Sequence, residues 1–430
     1  MFKTVRGMRD ILPKEAEMMR HVEQVSRKVS KLFGYDEIIT PILESHELLA
    51  TKTSEEIRER MYTFKDLGDR KVAMRPEFTA SIARLVSTKM RNEPKPMRFF
   101  SVGSLYRYDE PQYGRFREFW QSNYELFGSS RPEADAEILI ITNNVLKKLR
   151  LTNYRFKVGH TGILRGILTQ EGLDNKKQNS IRQLLDKKLW NDALVLAREA
   201  GVSQKGITIL ENLLEIKGEN AFQVIAQIRD SVQDYETALA AVDNLSNILE
   251  LIKDSKEQIE ICVEAGFARG LEYYTGMIFE SYIPGLDIAL GGGGRYDKLI
   301  QLFGGEPIPA VGVAQGIDRI FLALTKQKVT QETTKKRSVV LISAKNKFTP
   351  NMLELSAMLR NRGIPVEVAV MGRSISKALA NADRRGCAFA VIVGPRELKD
   401  GKVVLREMKK GKQQTIPISC LIQEILPNSV

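Results

Sequence analysis

Three arginines and a strand face carry the first chemical signal in this 430-residue chain. Arg107 precedes a turn supplied by Glu110, Pro111, Gln112 and Gly114, and Arg115 and Arg117 follow it, so several guanidinium forks can converge on one anion, most simply a phosphate. Aromatic-rich runs on either side, Phe99 to Tyr108 and Phe116 to Phe127, suit two strands of an antiparallel hairpin. Alternation on the second run puts Phe119, Gln121, Asn123 and Glu125 on one face, offering a ring, amides and a carboxylate, and Trp120, Ser122, Tyr124 and Leu126 on the other. Taken alone, a charged hairpin equally reads as a solvated tip whose charges pair among themselves.

Other stretches hold compatible groups. Glu77 sits between Pro76 and Phe78 where a helix opens, and it could hold an ammonium or simply serve the helix dipole; Thr79 and Ser81 read as caps. Tyr273 and Tyr274 would face opposite ways on a regular strand, but flanking glycines permit a bend that brings both to one pocket. Gly291 to Gly294, before Arg295-Tyr296-Asp297, follow a short strand and imply either close backbone approach or a flexible loop. They are not a P-loop, since no Lys-Ser/Thr follows. Small residues from Pro309 to Gly316 run into a helix whose start projects Arg319; they leave room for a flat ligand or pack tightly against a strand.

These groups need positioning elements. Pro13 to Phe33 is one amphipathic helix stopped by Gly34, and Tyr35 to Ile39 a short strand at an edge or interface. Pairs of strands at Met61 to Asp66 and Lys71 to Arg75 precede a helix through about Ser87, and Pro132 to Leu149 and Tyr154 to Val158 read as helix and strand. Residues 162–256 form an all-helical insertion without visible chemistry of its own. Residues 326–337 are polar and basic, a linker. Beyond it, strands Val339 to Ser343, Val366 to Val370 and Phe389 to Val393 alternate with helices and close with a hairpin around Asp400-Gly401, predicting a mixed, largely parallel sheet.

Composition narrows the class. Hydrophobic content of 43% and charged content of 27% suit a soluble globular protein of two or three domains, with no membrane-length apolar run and no signal-peptide core. Cytoplasmic residence is expected. Three scattered cysteines and three scattered histidines argue against disulfides, zinc and Ser-His-Asp chemistry. Of the net +12, residues 331–430 hold +10 from 18 Lys and Arg against 8 Asp and Glu, as a nucleic-acid-contacting module would.

Together these stretches resemble the class II aminoacyl-tRNA synthetases and, within them, the histidyl-tRNA synthetases. Gly34 to Glu44, Arg107 to Gln121 and Gly312 to Arg319 look like the three class-wide motifs. The histidine-specific signals are Arg269-Gly270-Leu271-Glu272-Tyr273-Tyr274, Gly292-Gly293-Gly294-Arg295-Tyr296-Asp297, Arg75-Pro76-Glu77 and the opening Arg6-Gly7-Met8-Arg9-Asp10. Phe78, Asp109, Glu272 and Trp120 depart from the commonest pattern, and several of these are similar to archaeal-type members.

The resemblance implies an α/β fold with an α+β catalytic core: an antiparallel sheet with flanking helices over residues 1–325, interrupted by the helical insertion, and an α/β anticodon-binding domain at 338–430. It implies activation of L-histidine by ATP, accompanied by Mg2+, and transfer to the terminal ribose of a histidine tRNA, in a homodimer. Arg107 and Arg269 would contact the α-phosphate and carboxylate, Arg115 the outer phosphates, and Phe119 and Arg319 would sandwich adenine. Glu77, Thr79 and Gln121 would hold the α-ammonium, with Phe78 in the same loop. Glu125 and Tyr274 would read the imidazole, with Tyr273 and Tyr296 beside them. Two catalytically silent alternatives are a regulatory subunit of ATP phosphoribosyltransferase, whose kind typically lacks the anticodon domain and the catalytic arginines kept here, and a vestigial histidine-sensing or RNA-binding module.

Overall fold

A computed structural model describes residues 2–51, 55–111, 114–269, 273–286, 288–329, 338–343 and 348–426. Gln112, the stretch 270–272 with Glu272, and linker residues 330–337 therefore lie outside the described residues. The chain divides into two compact units, Met1–Val329 and Thr330–Val430.

The first unit is built on a nine-stranded sheet. Its middle is an antiparallel run in the order Met97–Tyr106, Glu118–Phe127, Ala310–Gly316, Ala289–Arg295, Met277–Tyr282, Arg155–His160. Asp36–Glu37 adds in parallel at one edge, beside the hairpin, where a short strand interrupted by Pro41 was expected. At the other edge Ile261–Glu264 joins in parallel and pairs with Lys217–Gly218, a two-residue strand within the otherwise helical insertion.

Alternation along the hairpin sorts side chains into two cores. Phe100, Tyr124 and Leu126 bury against helices Pro13–Leu32 and Pro132–Lys148 on one face. Phe99, Leu105 and Phe127, one position out of phase, join Phe78, Tyr273, Tyr274 and Tyr296 on the other. A one-residue register slip would exchange these sets, so the hydrophobic pattern holds the polar members of the second face in place. The first of these cores continues without a break into the insertion, whose helices bury Ile181, Leu210, Ile228 and Leu245.

The four glycines are not a loop. They lie within strand Ala289–Arg295, buried between two neighbouring strands, so of the two expectations close approach is the one observed. A Cβ on Gly293 would enter the Gly312 backbone, and one on Gly292 would enter the Arg269 guanidinium. At the end of this strand Arg295 is 5% exposed and forms a buried pair with Asp135, Nη2 to Oδ2 at 2.5 Å, and also donates to Ser129 O at 2.8 Å. Removing one partner of such a pair costs roughly 3–5 kcal/mol, which anchors the neighbouring Tyr296.

The first unit extends slightly further than the polar linker suggested. Helix Ile317–Lys326 includes Thr325 and Lys326, and Val329 packs on the first core.

In the second unit Val366–Val368, Val339–Ser343 and Phe389–Val393 are parallel, and Lys402–Glu407 and Gln413–Pro417 continue the sheet antiparallel. Asp400-Gly401 is not the hairpin turn. Gly401, at φ +66°, stops the short helix Pro395–Lys399, and the hairpin turns at residues 408–412 around Gly411, also at φ +66°. An Asp-Gly pair suits either job, and the helix-forming run before it decided the matter.

Candidate active site

A cavity of about 370 Å³ opens on the second face of the large sheet. It has a carboxylate end and a guanidinium end.

Glu125 defines the carboxylate end. Its strand position pairs with Phe99 on one side and Gly312 on the other. Gly312 is needed as glycine, because a Cβ there would lie 2.7 Å from Glu125 Cδ. Thr79 Oγ1 donates to Glu125 Oε1 at 2.8 Å, Asn123 Nδ2 donates to the same oxygen at 3.4 Å, and the Tyr296 hydroxyl donates to Oε2. Thr79 is therefore not a cap. Phe78 occupies the N-cap of helix Thr79–Ser87, with no side-chain cap bond. Burial pushes the Glu125 carboxyl up to about 7, although Tyr296, Thr79 and Asn123 favour its ionised form. Glu77 is also raised by burial, opposed by the Arg107 charge, the Tyr273 hydroxyl and the Ala80 N–H.

Aromatic rings wall this end. Tyr273 and Tyr274 lie before strand Met277–Tyr282 rather than within it, and both face the cavity with centroids 5.0 Å apart. Tyr296 packs edge-on against Tyr273 at 5.7 Å. Gln121 also lines the cavity, and its Oε1 is buried with no hydrogen-bond partner among the described residues, an acceptor available to a ligand ammonium.

At the other end, Arg107 donates through Nε to Pro76 O at 2.9 Å, and its Cζ lies 5.3 Å from the centre of the Phe119 ring. Arg269 Nη1 donates to Phe279 O and to Glu280 Oε1, both at 3.0 Å. Arg319 Nη1 donates to Ala289 O at 3.0 Å. Burial, with Arg107 and Arg115 nearby, pulls the Arg319 guanidinium down to about 10. Arg115 is exposed at the cavity margin. Arg60 also lines the cavity. Five guanidiniums around one space repel one another, and a bound polyanion would relieve that repulsion.

Two expected contributors lie elsewhere. Phe78 is 1% exposed in the hydrophobic core, with the Arg75 guanidinium 4.4 Å from its ring centre, and does not line the cavity. Arg117 is buried away from it, over the Tyr108 ring at 3.6 Å.

Other residues of the cavity wall had been given no role. Glu280 orients Arg269, and it shares a strand face with Ile278 of the second core, so a carboxylate in that phase was a readable signal. Asp186 reaches the wall from insertion helix Asn175–Asp186, and its charge acts on Arg269. No sequence pattern distinguishes it from any surface charge. Asp318 accepts from Trp120 N at 2.6 Å and from Arg9.

Comparison with known proteins finds relatives in sequence and in fold. The family model described as histidyl-tRNA synthetase matches residues 7–320, and one described as anticodon binding domain matches residues 338–428. The histidine–tRNA ligase of Methanococcus maripaludis is 39% identical over 98% of this chain and 99% of its own. That of Saccharolobus solfataricus is 36% identical over 99% of this chain and 98% of its own. Among solved structures, a Bacillus halodurans protein described as an ATP phosphoribosyltransferase regulatory subunit/histidyl-tRNA synthetase superposes with TM-score 0.76 at 25% identity, covering 89% of this chain and 96% of its own. A histidyl-tRNA synthetase from a Nostoc species shares the fold with TM-score 0.82 at 20% identity, over 100% of this chain and 99% of its own.

Proposed function

The chain belongs to the histidyl-tRNA synthetase family, enzymes that charge tRNA with histidine, and from that premise we propose that the cavity is the adenylation site, with histidine at its carboxylate end and ATP at its guanidinium end. The observation carrying this is the junction, in one cavity, of a carboxylate held by three donors with a cluster of guanidiniums that includes Arg107, Arg115, Arg269 and Arg319.

Histidine is the side chain with both a ring donor and a ring acceptor, and Glu125 with Tyr274 can test both nitrogens. Glu77 and Gln121 take the α-ammonium, and Thr79 holds Glu125 in the rotamer that faces the ring. The histidine carboxylate then attacks the α-phosphorus, and pyrophosphate leaves as the new mixed anhydride forms. Negative charge builds on the α-phosphate oxygens, so fixed cations serve better than a base. Arg107 and Arg269 neutralise that charge, with Arg269 aimed by Glu280 and by the missing side chain of Gly292. Arg115 meets the outer phosphates, and Phe119 and Arg319 enclose adenine. Magnesium arrives with ATP as part of the substrate.

Residues 1–329 then form the catalytic domain, 162–256 its insertion and 338–430 the anticodon-binding domain. A homodimer is supported by the apolar surface of the first motif, where Ile39 is 91% exposed and Ile42 and Leu43 lie beside it in solvent. No helix among the described residues is long and apolar enough to cross a membrane, and the cytoplasm is the compartment proposed. Full-length similarity to ligases and the retained cavity arginines Arg107, Arg269 and Arg319 disfavour a silent regulatory role. Histidine-dependent exchange of labelled pyrophosphate into ATP tests the proposal directly: exchange is expected, and its absence in folded protein refutes the assignment.

A further inference from the structure

The opening motif Arg6 to Asp10 has no part in the roles above, yet it is seated on the hairpin. Arg117 N donates to Gly7 O at 3.0 Å, and Arg117 Nη1 donates to Arg6 O at 3.2 Å. Gly7 adopts φ +84°, and a Cβ on it would lie 2.5 Å from Arg117 Cδ, so the seat requires glycine on two counts. Seated this way, the segment delivers Arg9 to the cavity wall from behind. The Arg9 guanidinium lies 3.5 Å from the centre of the Phe116 ring and donates through Nη2 to Oδ1 of Asp318. Asp318 is 3% exposed, and its Oδ2 accepts from Trp120 N at 2.6 Å.

The link Arg9–Asp318–Trp120 therefore ties a helix start to a strand. Arg319 follows Asp318 in the chain, and Phe119 precedes Trp120, so each end of the link is the neighbour of one group assigned to adenine. We propose that Arg9 is a positioning residue for the nucleotide, holding Arg319 and Phe119 at the spacing that admits the adenine ring. The inference rests on the adenine assignment of those two residues. A buried carboxylate needs a cation or a proton. Without Arg9, Asp318 either protonates or turns, and in both cases the bond that fixes helix against strand changes, while Glu125 and Glu77 keep their own partners.

The test uses the full chain and pyrophosphate exchange, with KM measured separately for ATP and histidine. Arg9→Met is expected to raise the KM for ATP about tenfold and to leave that for histidine within about twofold, with Arg9→Lys recovering most of the loss. An equal rise in both constants, or a lower melting temperature with unchanged constants, overturns the proposal. Arg319→Ala runs beside it. If Arg319→Ala leaves the KM for ATP unchanged, the adenine assignment fails; if it raises that constant and Arg9→Met does not, the positioning inference alone fails. Asp318→Asn provides a second variant. With the carboxylate gone, adding Arg9→Met is expected to cost ATP binding nothing more, and an additive loss refutes the link.

Discussion

Replacing Glu125 with glutamine sets stability against function, and the burial and hydrogen-bond partners of its carboxyl give the direction of both effects. Glu125 ordinarily titrates near 4.5 and in the fold is pushed up to about 7, the first cause being burial. Between those values the folded chain holds a proton that the unfolded chain has released. Stability from this group is thus full below about 4.5, falls as pH rises through that window, and is lost above about 7. At 1.36 kcal/mol per pH unit, the gap corresponds to about 3 kcal/mol carried as a cost of ionised Glu125 at pH 8. Glu125→Gln removes the charge and keeps the shape, so its denaturation midpoint is expected to exceed that of the parent at pH 8 and to match it near pH 4.5. Histidine binding moves the opposite way. A charged acceptor for the imidazole is worth roughly 1.5–3 kcal/mol, so the variant should bind histidine about 10- to 150-fold more weakly at pH 8. Urea titrations at the two pH values and calorimetric titration with histidine measure both. A variant that is less stable at pH 8, or that binds histidine like the parent, would refute the reasoning.

Three further outcomes are expected. Arg269→Ala should lower pyrophosphate exchange at least 100-fold by removing charge stabilisation at the α-phosphate, with the thermal midpoint nearly unchanged; normal exchange would remove Arg269 from its role. Gly292→Ala brings a Cβ to 2.6 Å from Arg269 Cζ, so it should depress exchange while histidine binding, measured by calorimetry, survives. Ending the chain at about Lys336 should spare exchange and impair tRNA charging, since the basic second unit is proposed to carry anticodon contacts; unimpaired charging would assign that unit another task.

The hairpin was legible because its information is local. Period-two alternation places Phe119, Gln121 and Glu125 on one strand face, and the fold puts all three in the cavity wall. The edge strand before Pro41 and the helix from Pro13 were local too. Phe78 and Arg117 misled for the opposite reason: each neighbours site residues in sequence, but a side chain's surroundings are chosen by packing. Phe78 lies in the core and Arg117 holds the N-terminal segment.

Most of the long helices and strands, the family resemblance and the residue types available for chemistry were thus readable along the chain, because periodicity and motif spacing are properties of neighbours in sequence. It took the folded contacts to make four glycines a buried strand with room for Arg269, to set Thr79 on Glu125 rather than at a helix cap, and to bring Asp186 of the insertion to the same wall. The same folding buries Glu125 and lifts its carboxyl to about 7. Those facts depend on contacts between strands and helices tens to hundreds of residues apart, where distance in space and exclusion of water set the energies.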